Sequence, residues 1–265
     1  MQDLNVAIVQ TDLVWENAEA NLEQLGKKLD AIKNPVDLIV LPEMFNTAFS
    51  MNPLVCAEMS EGKSFRWMKE KAKEKNCVLT GSILINDNGK IFNRLFWMMP
   101  EGTYQCYDKK HLFRFSGEND VFTAGRKKIT PSLNGWNFRP LICYDLRFPV
   151  WNMNTFLNGK FEFDCIVYVA NWAESRRYPW ISLLIARAIE NQIYVIAVNR
   201  VGIDGKGTTF SGDSMIIDPK GNIIKQIPAH KEAIEFATLS YSELLSCREH
   251  FRVALDWDRF KVEDM

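Results

Sequence analysis

Apolar residues in this chain fall into two rhythms that alternate along its length. Over 17–32 the positions Ala18, Leu22, Leu25, Leu29 and Ile32 step by four, three, four and three, the spacing of one face of an α-helix. Comparable spacing predicts helices over 63–76, 150–158, 179–192 and 241–250, with Pro179 in a first turn where its missing N–H costs nothing. Between them, short β-branched and aromatic runs predict strands over 5–10, 38–41, 78–85, 93–99, 104–108, 139–143, 165–170, 194–199, 214–217, 223–226 and 233–238. Turn signals at Asp87-Asn88-Gly89, Pro100-Glu101-Gly102 and Asp218-Pro219-Lys220-Gly221 imply hairpins, so the sheets should be mixed rather than purely parallel. The span 111–138 has little periodicity, which is long for a compact domain unless it serves function. About eleven strands with interspersed helices predict an α/β chain, two sheets with helices outside, folded as a single domain over 1–265.

Composition narrows the class. The chain has 265 residues, 47% hydrophobic and 25% charged, which excludes a disordered or fibrous protein. Lys and Arg number 32 against 33 Asp and Glu, so there is no positive excess to hold nucleic acid or an anionic membrane surface. No apolar run approaches the ~20 residues that span a bilayer. The opening MQDLNVAIVQTDLVW has no basic segment and no small-residue cleavage site, so no secretory leader and a cytoplasmic location are expected. Six cysteines, at 56, 77, 106, 143, 165 and 247, form no CxxC pair, and a disulfide framework is not expected. Histidines 111, 230 and 250 show no HxH or HExxH spacing, so neither a metal nor another cofactor is implied.

Polar residues at the ends of the apolar strands carry the chemistry. DLIVLP runs into Glu43, TYQCYD into Lys109-Lys110, RPLI into Cys143-Tyr144-Asp145, DCIVYVA into Asn171 and YVIAV into Asn199. In open α/β sheets, ligands bind beyond the carboxyl ends of strands, so these residues are placed to share one crevice. Taken singly, Glu43 reads as a loop acid, Cys143 as a buried small hydrophobe and Lys109 as a solvated charge. Together they form a nucleophile set. A cysteine attacks as thiolate, a nearby carboxylate can take its proton and return it to a leaving amine, and an ammonium stabilises the oxyanion. A Cys143–His111 pair is the other nucleophile arrangement open to these residues, although nothing marks a third, orienting group. The glycines from Gly202 to Gly207 lack the spacing of a dinucleotide-binding turn.

LPEMFNTAF (41–49), YDKKHLF (107–113) and LICYDLRFP (141–149) resemble, in order, the three signatures of the nitrilase, or carbon–nitrogen hydrolase, superfamily. The resemblance continues in NWAESRRYPW (171–180), ARAIENQIYVIAVNRVG (186–202) and GDSMIIDPKGNII (212–224), and so covers nearly the whole chain. It implies a four-layer α-β-β-α sandwich of two mixed sheets with helices outside, working as a homodimer or higher homo-oligomer. It implies Glu43 as base, Lys109 rather than Lys110 as the lysine, and Cys143 as nucleophile. Asp108 stands where the family often has arginine. Glu118, seven residues before Gly125, matches a second family glutamate and is expected to orient Lys109 or the water. The aromatic C-terminal tail, about 251–265, is expected to be tied down, with a partner subunit as one anchor.

CYDLRFP, NWxxxRxxxW and the length look most like the omega-amidase branch, whose members hydrolyse the terminal amide of 2-oxoglutaramate and 2-oxosuccinamate. A related amidase, such as an N-carbamoyl amino-acid amidohydrolase, keeps the same triad and changes only the pocket. An idle homologue serving as a scaffold is disfavoured because all three catalytic positions are filled. The small-molecule amide's carboxylate requires a cation, for which Arg176 is the first candidate and Arg177 the second. Arg147 is expected to pair with Asp145 and hold the nucleophile loop. Phe45, Tyr144 and Trp172 are candidate pocket walls, and Asn171 is placed either to hydrogen-bond the substrate or to close its own turn.

Overall fold

Strand Leu4–Gln10 shows how the layers arise. Its residues Leu4, Val6 and Ile8 face a core shared with Trp136, Phe138 and Val195, whereas Ala7 and Val9 face Leu22, Leu25, Leu29, Phe65, Met68 and Ala72. A strand apolar on both faces must be covered on both, here by a second sheet and by two helices. In the computed structural model, which describes residues 1–263, this first sheet has the spatial order Ala233–Leu239, Leu4–Gln10, Leu38–Val40, Val78–Asp87, Lys90–Met98 and Tyr104–Asp108, with Glu58–Met59 added alongside Val78–Asp87. Its middle is parallel (Leu4–Gln10, Leu38–Val40, Val78–Asp87) and its flanks antiparallel. The second sheet has the order Ile223–Gln226, Met215–Ile217, Tyr194–Asn199, Cys165–Ala170, Trp136–Ile142 and Ser132–Leu133, again parallel in the middle and antiparallel outside.

Helix Ala18–Asp30 begins at Asn17, whose side chain accepts from Ala20 N–H at 3.0 Å, and its stripe of Leu22, Leu25 and Leu29 is buried. Each such leucine contributes ~2 kcal/mol by leaving water. Helix Lys63–Lys75 packs beside it on the same outer face, and helix Arg177–Asn191 covers the second sheet through Trp180, Leu184 and Ala188. The four-layer sandwich of mixed sheets is therefore the observed architecture. Among the described residues, no helix is long and apolar enough to cross a membrane.

The helix predicted over 150–158 is one turn only, Pro149–Asn152. Beyond it the chain makes a small hairpin, Phe156–Leu157 with Lys160–Phe161, around Asn158 (φ 52°) and Gly159 (φ 76°). The Asn-Gly pair, free to take positive φ, overrides the helical spacing of the apolar residues. The unperiodic span 111–138 holds a short 3-10 turn (Arg114–Ser116), a one-turn helix (Glu118–Val121) and an edge strand (Ser132–Leu133). The tail is anchored on its own chain. Gln192 Nε2 donates to Phe251 O at 2.7 Å, and Trp257 meets Phe161 edge-on at 5.8 Å. Positions 264 and 265 of the predicted tail segment lie outside the described residues.

Candidate active site

The two sheets contribute opposite halves of one site. Glu43 follows strand Leu38–Val40 and Lys109 follows Tyr104–Asp108, both of the first sheet. Cys143 follows Trp136–Ile142 and Asn171 follows Cys165–Ala170, both of the second. Glu118 arrives from the irregular span, and Gly125 is what lets it arrive. The Gly125 N–H donates to Lys109 O at 2.8 Å, and a Cβ there would fall 2.0 Å from Asp108 O. Only glycine lets the loop carrying Glu118 press this closely on the strand end carrying Lys109.

Lys109 Nζ donates to Glu43 Oε1 at 2.9 Å and to Glu118 Oε1 and Oε2 at 3.1 and 2.9 Å. Glu43 Oε1 also accepts from Asn93 Nδ2 at 2.8 Å, and Oε2 accepts from Asn171 N–H at 2.8 Å. The Asn171 side chain closes the clamp by donating to Glu43 O at 2.5 Å. Glu118 Oε2 accepts further from Phe113 N–H at 2.6 Å. Glu43, Lys109 and Glu118 are essentially sealed from solvent, and Cys143 is 8% exposed. Lys110 turns away and lies over the Trp151 ring.

Cys143 has left the strand with φ 43°, a left-handed conformation that thrusts its side chain out of the sheet at the start of a 3-10 turn. Strain of this kind persists only where the surroundings enforce it. Asp145 is the enforcer. Its Oδ2 accepts from Ile142 N–H at 3.0 Å and Tyr107 Oη at 2.8 Å, and its Oδ1 accepts from His111 N–H at 3.0 Å with His111 Nδ1 at 2.8 Å. The expected Arg147–Asp145 pair does not form. Arg147 is turned to the other side of the turn, its guanidinium 4.9 Å from the Trp172 ring centre. His111 is committed to Asp145 and stacked on Phe148 at 3.7 Å, so it is no partner for the thiol.

A cavity of about 560 Å³ opens over Cys143 and Lys109. Tyr144, Asn171, Trp172 and Arg176 all line it, as expected, and Arg147 joins them. Phe45 does not. It is buried beneath the first sheet against Trp67, and Phe49 and Met51, further along the same loop, form that wall instead. The Arg176 guanidinium lies 5.1 Å from the Phe113 ring centre, and among the described residues neither Arg147 nor Arg176 is paired with a carboxylate. Arg177 is spoken for: Asp213 takes it with two bonds of 2.7 Å.

Residues 5–249 match the carbon–nitrogen hydrolase family. The chain is 40% identical to the omega-amidase YafV of Escherichia coli K12, over 99% of this chain and all of that one. It is 30% identical to a 2-oxoglutaramate amidase of Bacillus subtilis, over 94% and 95% of the two chains. Its fold superposes with a TM-score of 0.97 on XC1258 of Xanthomonas campestris, a superfamily member carrying an arsenic adduct in its active site, at 38% identity over 99% and 100% of the chains. This chain belongs to the carbon–nitrogen hydrolase family.

The electrostatics of this hydrolase follow from burial. Burial alone would push the Lys109 ammonium down, but Glu118 and Glu43 beside it outweigh that and hold it well above the ordinary lysine range. Burial raises the Glu118 carboxyl, Lys109 opposes, and the net direction is up. The Cys143 thiol is pushed well above its usual range by burial and by the Glu43 carboxylate, against Lys109, so the resting hydrolase holds a thiol rather than a thiolate. Among the described residues, no group of three or more His, Cys, Asp or Glu side chains is arranged to hold a metal. Asn93 and Phe210 belong to the site or its walls but lie outside every segment that carries the family resemblance, whereas Tyr107 and Phe113 lie within YDKKHLF, where nothing separates them from packing residues.

Proposed function

We propose that this hydrolase is an omega-amidase that converts 2-oxoglutaramate and 2-oxosuccinamate with water into the 2-oxo diacid and ammonia. The observation carrying this reading is one cavity with two chemistries. A thiol and an ammonium lie at its floor, and in its wall lie Arg147 and Arg176, which have no carboxylate partner among the described residues. A substrate with a terminal amide and a distant carboxylate satisfies both. Similarity to the omega-amidase of Escherichia coli and to the 2-oxoglutaramate amidase of Bacillus subtilis supports the same assignment.

In this mechanism the Cys143 thiol gives its proton to Glu43 as its sulfur attacks the amide carbonyl. The oxyanion is taken by the Lys109 ammonium and by the Tyr144 N–H at the head of the 3-10 turn. Glu118 keeps Lys109 charged and aimed. Glu43 returns the proton to the departing nitrogen, ammonia leaves, and Cys143 holds the acyl group as a thioester. Glu43 then draws a proton from water, whose oxygen attacks the thioester; the C–S bond breaks, the diacid leaves, and Glu43 passes that proton to the sulfur, restoring the thiol. Trp172 and Tyr144 flank the acyl chain, and Arg176 is the first candidate for its carboxylate. A dimer across the outer helices is supported by Tyr178 and Ile189, apolar and exposed on helix Arg177–Asn191.

Ammonia release tests the assignment, measured from 2-oxoglutaramate, L-glutamine, an N-carbamoyl amino acid and a simple nitrile, with Cys143→Ala as blank. Cys143-dependent turnover of the oxo-amide far above the others is expected. Preference for the N-carbamoyl substrate would replace this reading by the carbamoyl-hydrolase one.

A further inference from the structure

Glu43 has two oxygens, and the structure treats them differently. An ionised carboxylate offers about four acceptor positions, two on each oxygen. On Oε1 both are filled, by Lys109 Nζ at 2.9 Å and Asn93 Nδ2 at 2.8 Å. On Oε2 one is filled, by Asn171 N–H at 2.8 Å. Among the described residues one acceptor position therefore remains, on Oε2, and the titratable groups around the carboxylate are Lys109, Glu118 and the Cys143 thiol.

Asn93 is what makes the difference between the two oxygens. It is fully buried within strand Lys90–Met98, where an apolar residue would be the ordinary choice. Its own Oδ1 has no hydrogen-bond partner among the described residues, so the side chain is held through its amino group alone. A buried amide with an orphaned carbonyl is a poor device for stability. It does suit one task, which is donating to a carboxylate. The backbone of the same residue steadies the lysine, because Asn93 O accepts from Lys109 N–H at 3.0 Å.

We propose that Asn93 is a positioning residue of the amidase reaction: with Lys109 it occupies both acceptor positions of Glu43 Oε1, so that Oε2 alone takes the thiol proton and later delivers it to the leaving nitrogen. In this step S–H is broken and O–H formed on Oε2, then O–H is broken and N–H formed on the leaving nitrogen. Asn93 also disfavours protonation of the wrong oxygen, since a protonated Oε1 would face two donors. The inference rests on the amidase reading for its substrate, but not for the thiol chemistry.

The test is Asn93→Ala beside Asn93→Asp, an isostere that removes the donor when ionised and places a like charge next to Glu43. Two readouts are taken across pH, ammonia release from 2-oxoglutaramate and the rate of Cys143 alkylation by iodoacetamide. Removing a donor from a carboxylate favours its protonated form, so the acidic limb of both profiles should move to higher pH, by about one unit for Asn93→Ala and further for Asn93→Asp. At the optimum, kcat should fall at least roughly tenfold with KM within about twofold. A fall in kcat with neither profile shifted, or a loss carried by KM, overturns the proposal. Should Asn93→Ala fail to fold, Asn93→Asp alone decides by the same criterion. If the wild-type protein ignores 2-oxoglutaramate while the alkylation profile still shifts in the variants, the substrate reading falls and the role of Asn93 stands.

Discussion

The Tyr107 hydroxyl donates to Asp145 Oδ2 at 2.8 Å, and this bond ties the strand ending in Lys109 to the turn beginning at Cys143. Tyr107 lies two residues before Lys109 and Asp145 two residues after Cys143, so one buried contact joins the segments that carry the ammonium and the thiol. The same hydroxyl accepts from Trp151 Nε1 at 3.0 Å and Lys110 N–H at 3.2 Å. Tyr107→Phe leaves these buried groups short of a partner. Because the bond reaches a buried carboxylate, its loss should cost about 1.5–3 kcal/mol, lowering Tm by roughly 3–10 °C. Turnover should fall roughly tenfold through misplacement rather than lost chemistry. Thermal unfolding and steady-state kinetics check both; a Tm drop with unchanged kcat would remove the bond from any role in aligning the site.

The sequence discloses the reacting groups more readily than their supports. Glu43, Lys109 and Cys143 each have a bland reading taken singly, and they stand out because LPEMFNTAF, YDKKHLF and LICYDLRFP occur in order and hold one of them each. Tyr107 is hidden because a tyrosine within a strand reads as ordinary sheet composition, and Asn93 because it stands at the first position of the predicted strand 93–99, where a polar residue reads as a strand end; the strand in fact begins at Lys90. The Arg147 expectation failed for a geometric reason. The left-handed turn at Cys143 sends residue 145 inward and residue 147 toward the cavity, so neighbours in sequence diverge in space. Positive φ at Met44 and Ala48 likewise folds the loop so that Phe49, not Phe45, faces the cavity. At 150–158 the Asn-Gly turn outranked helical spacing.

Glu118→Gln separates activity from stability. The buried trio places one ammonium between two carboxylates, and burial already drives the Glu118 carboxyl upward. An amide of the same shape relieves that cost, so Tm should not fall. It also weakens the hold on Lys109, and with it the oxyanion, so kcat should drop roughly a hundredfold. Paired kinetics and unfolding measurements suffice; a variant that loses Tm in step with kcat would make Glu118 structural.

The arginines make a sharper substrate prediction. Arg176→Met should raise KM for 2-oxoglutaramate about 10- to 150-fold, the worth of a charged hydrogen-bonded contact, while turnover of a neutral aliphatic amide stays within about twofold. Arg147→Met is measured in parallel, and whichever loss is confined to the acidic substrate identifies the carboxylate's partner. Arg177→Met is the control: with its guanidinium held by Asp213 it should lower Tm and leave the ratio of the two substrates unchanged.

Lys128 offers a stability test with a defined pH window. Burial pushes its ammonium down to about 8, and Arg139 nearby adds to this while Glu162 opposes. In the unfolded chain the group titrates near 10.5. Between these values the unfolded state binds the extra proton, so this group's contribution makes the folded protein gain stability as pH rises through the window. Below pH 8 both states are protonated and the cost of burying the charge is fully present. Lys128→Met removes that cost and keeps the side chain's bulk over Trp151, whose ring centre lies 4.6 Å from Nζ. Its Tm should therefore exceed that of the wild type by a few degrees at pH 7, and the difference should close toward pH 10.5. An equal gain at both values would assign the effect to packing. A lower Tm at pH 7 would show that the ammonium's attraction to the Trp151 ring outweighs its desolvation.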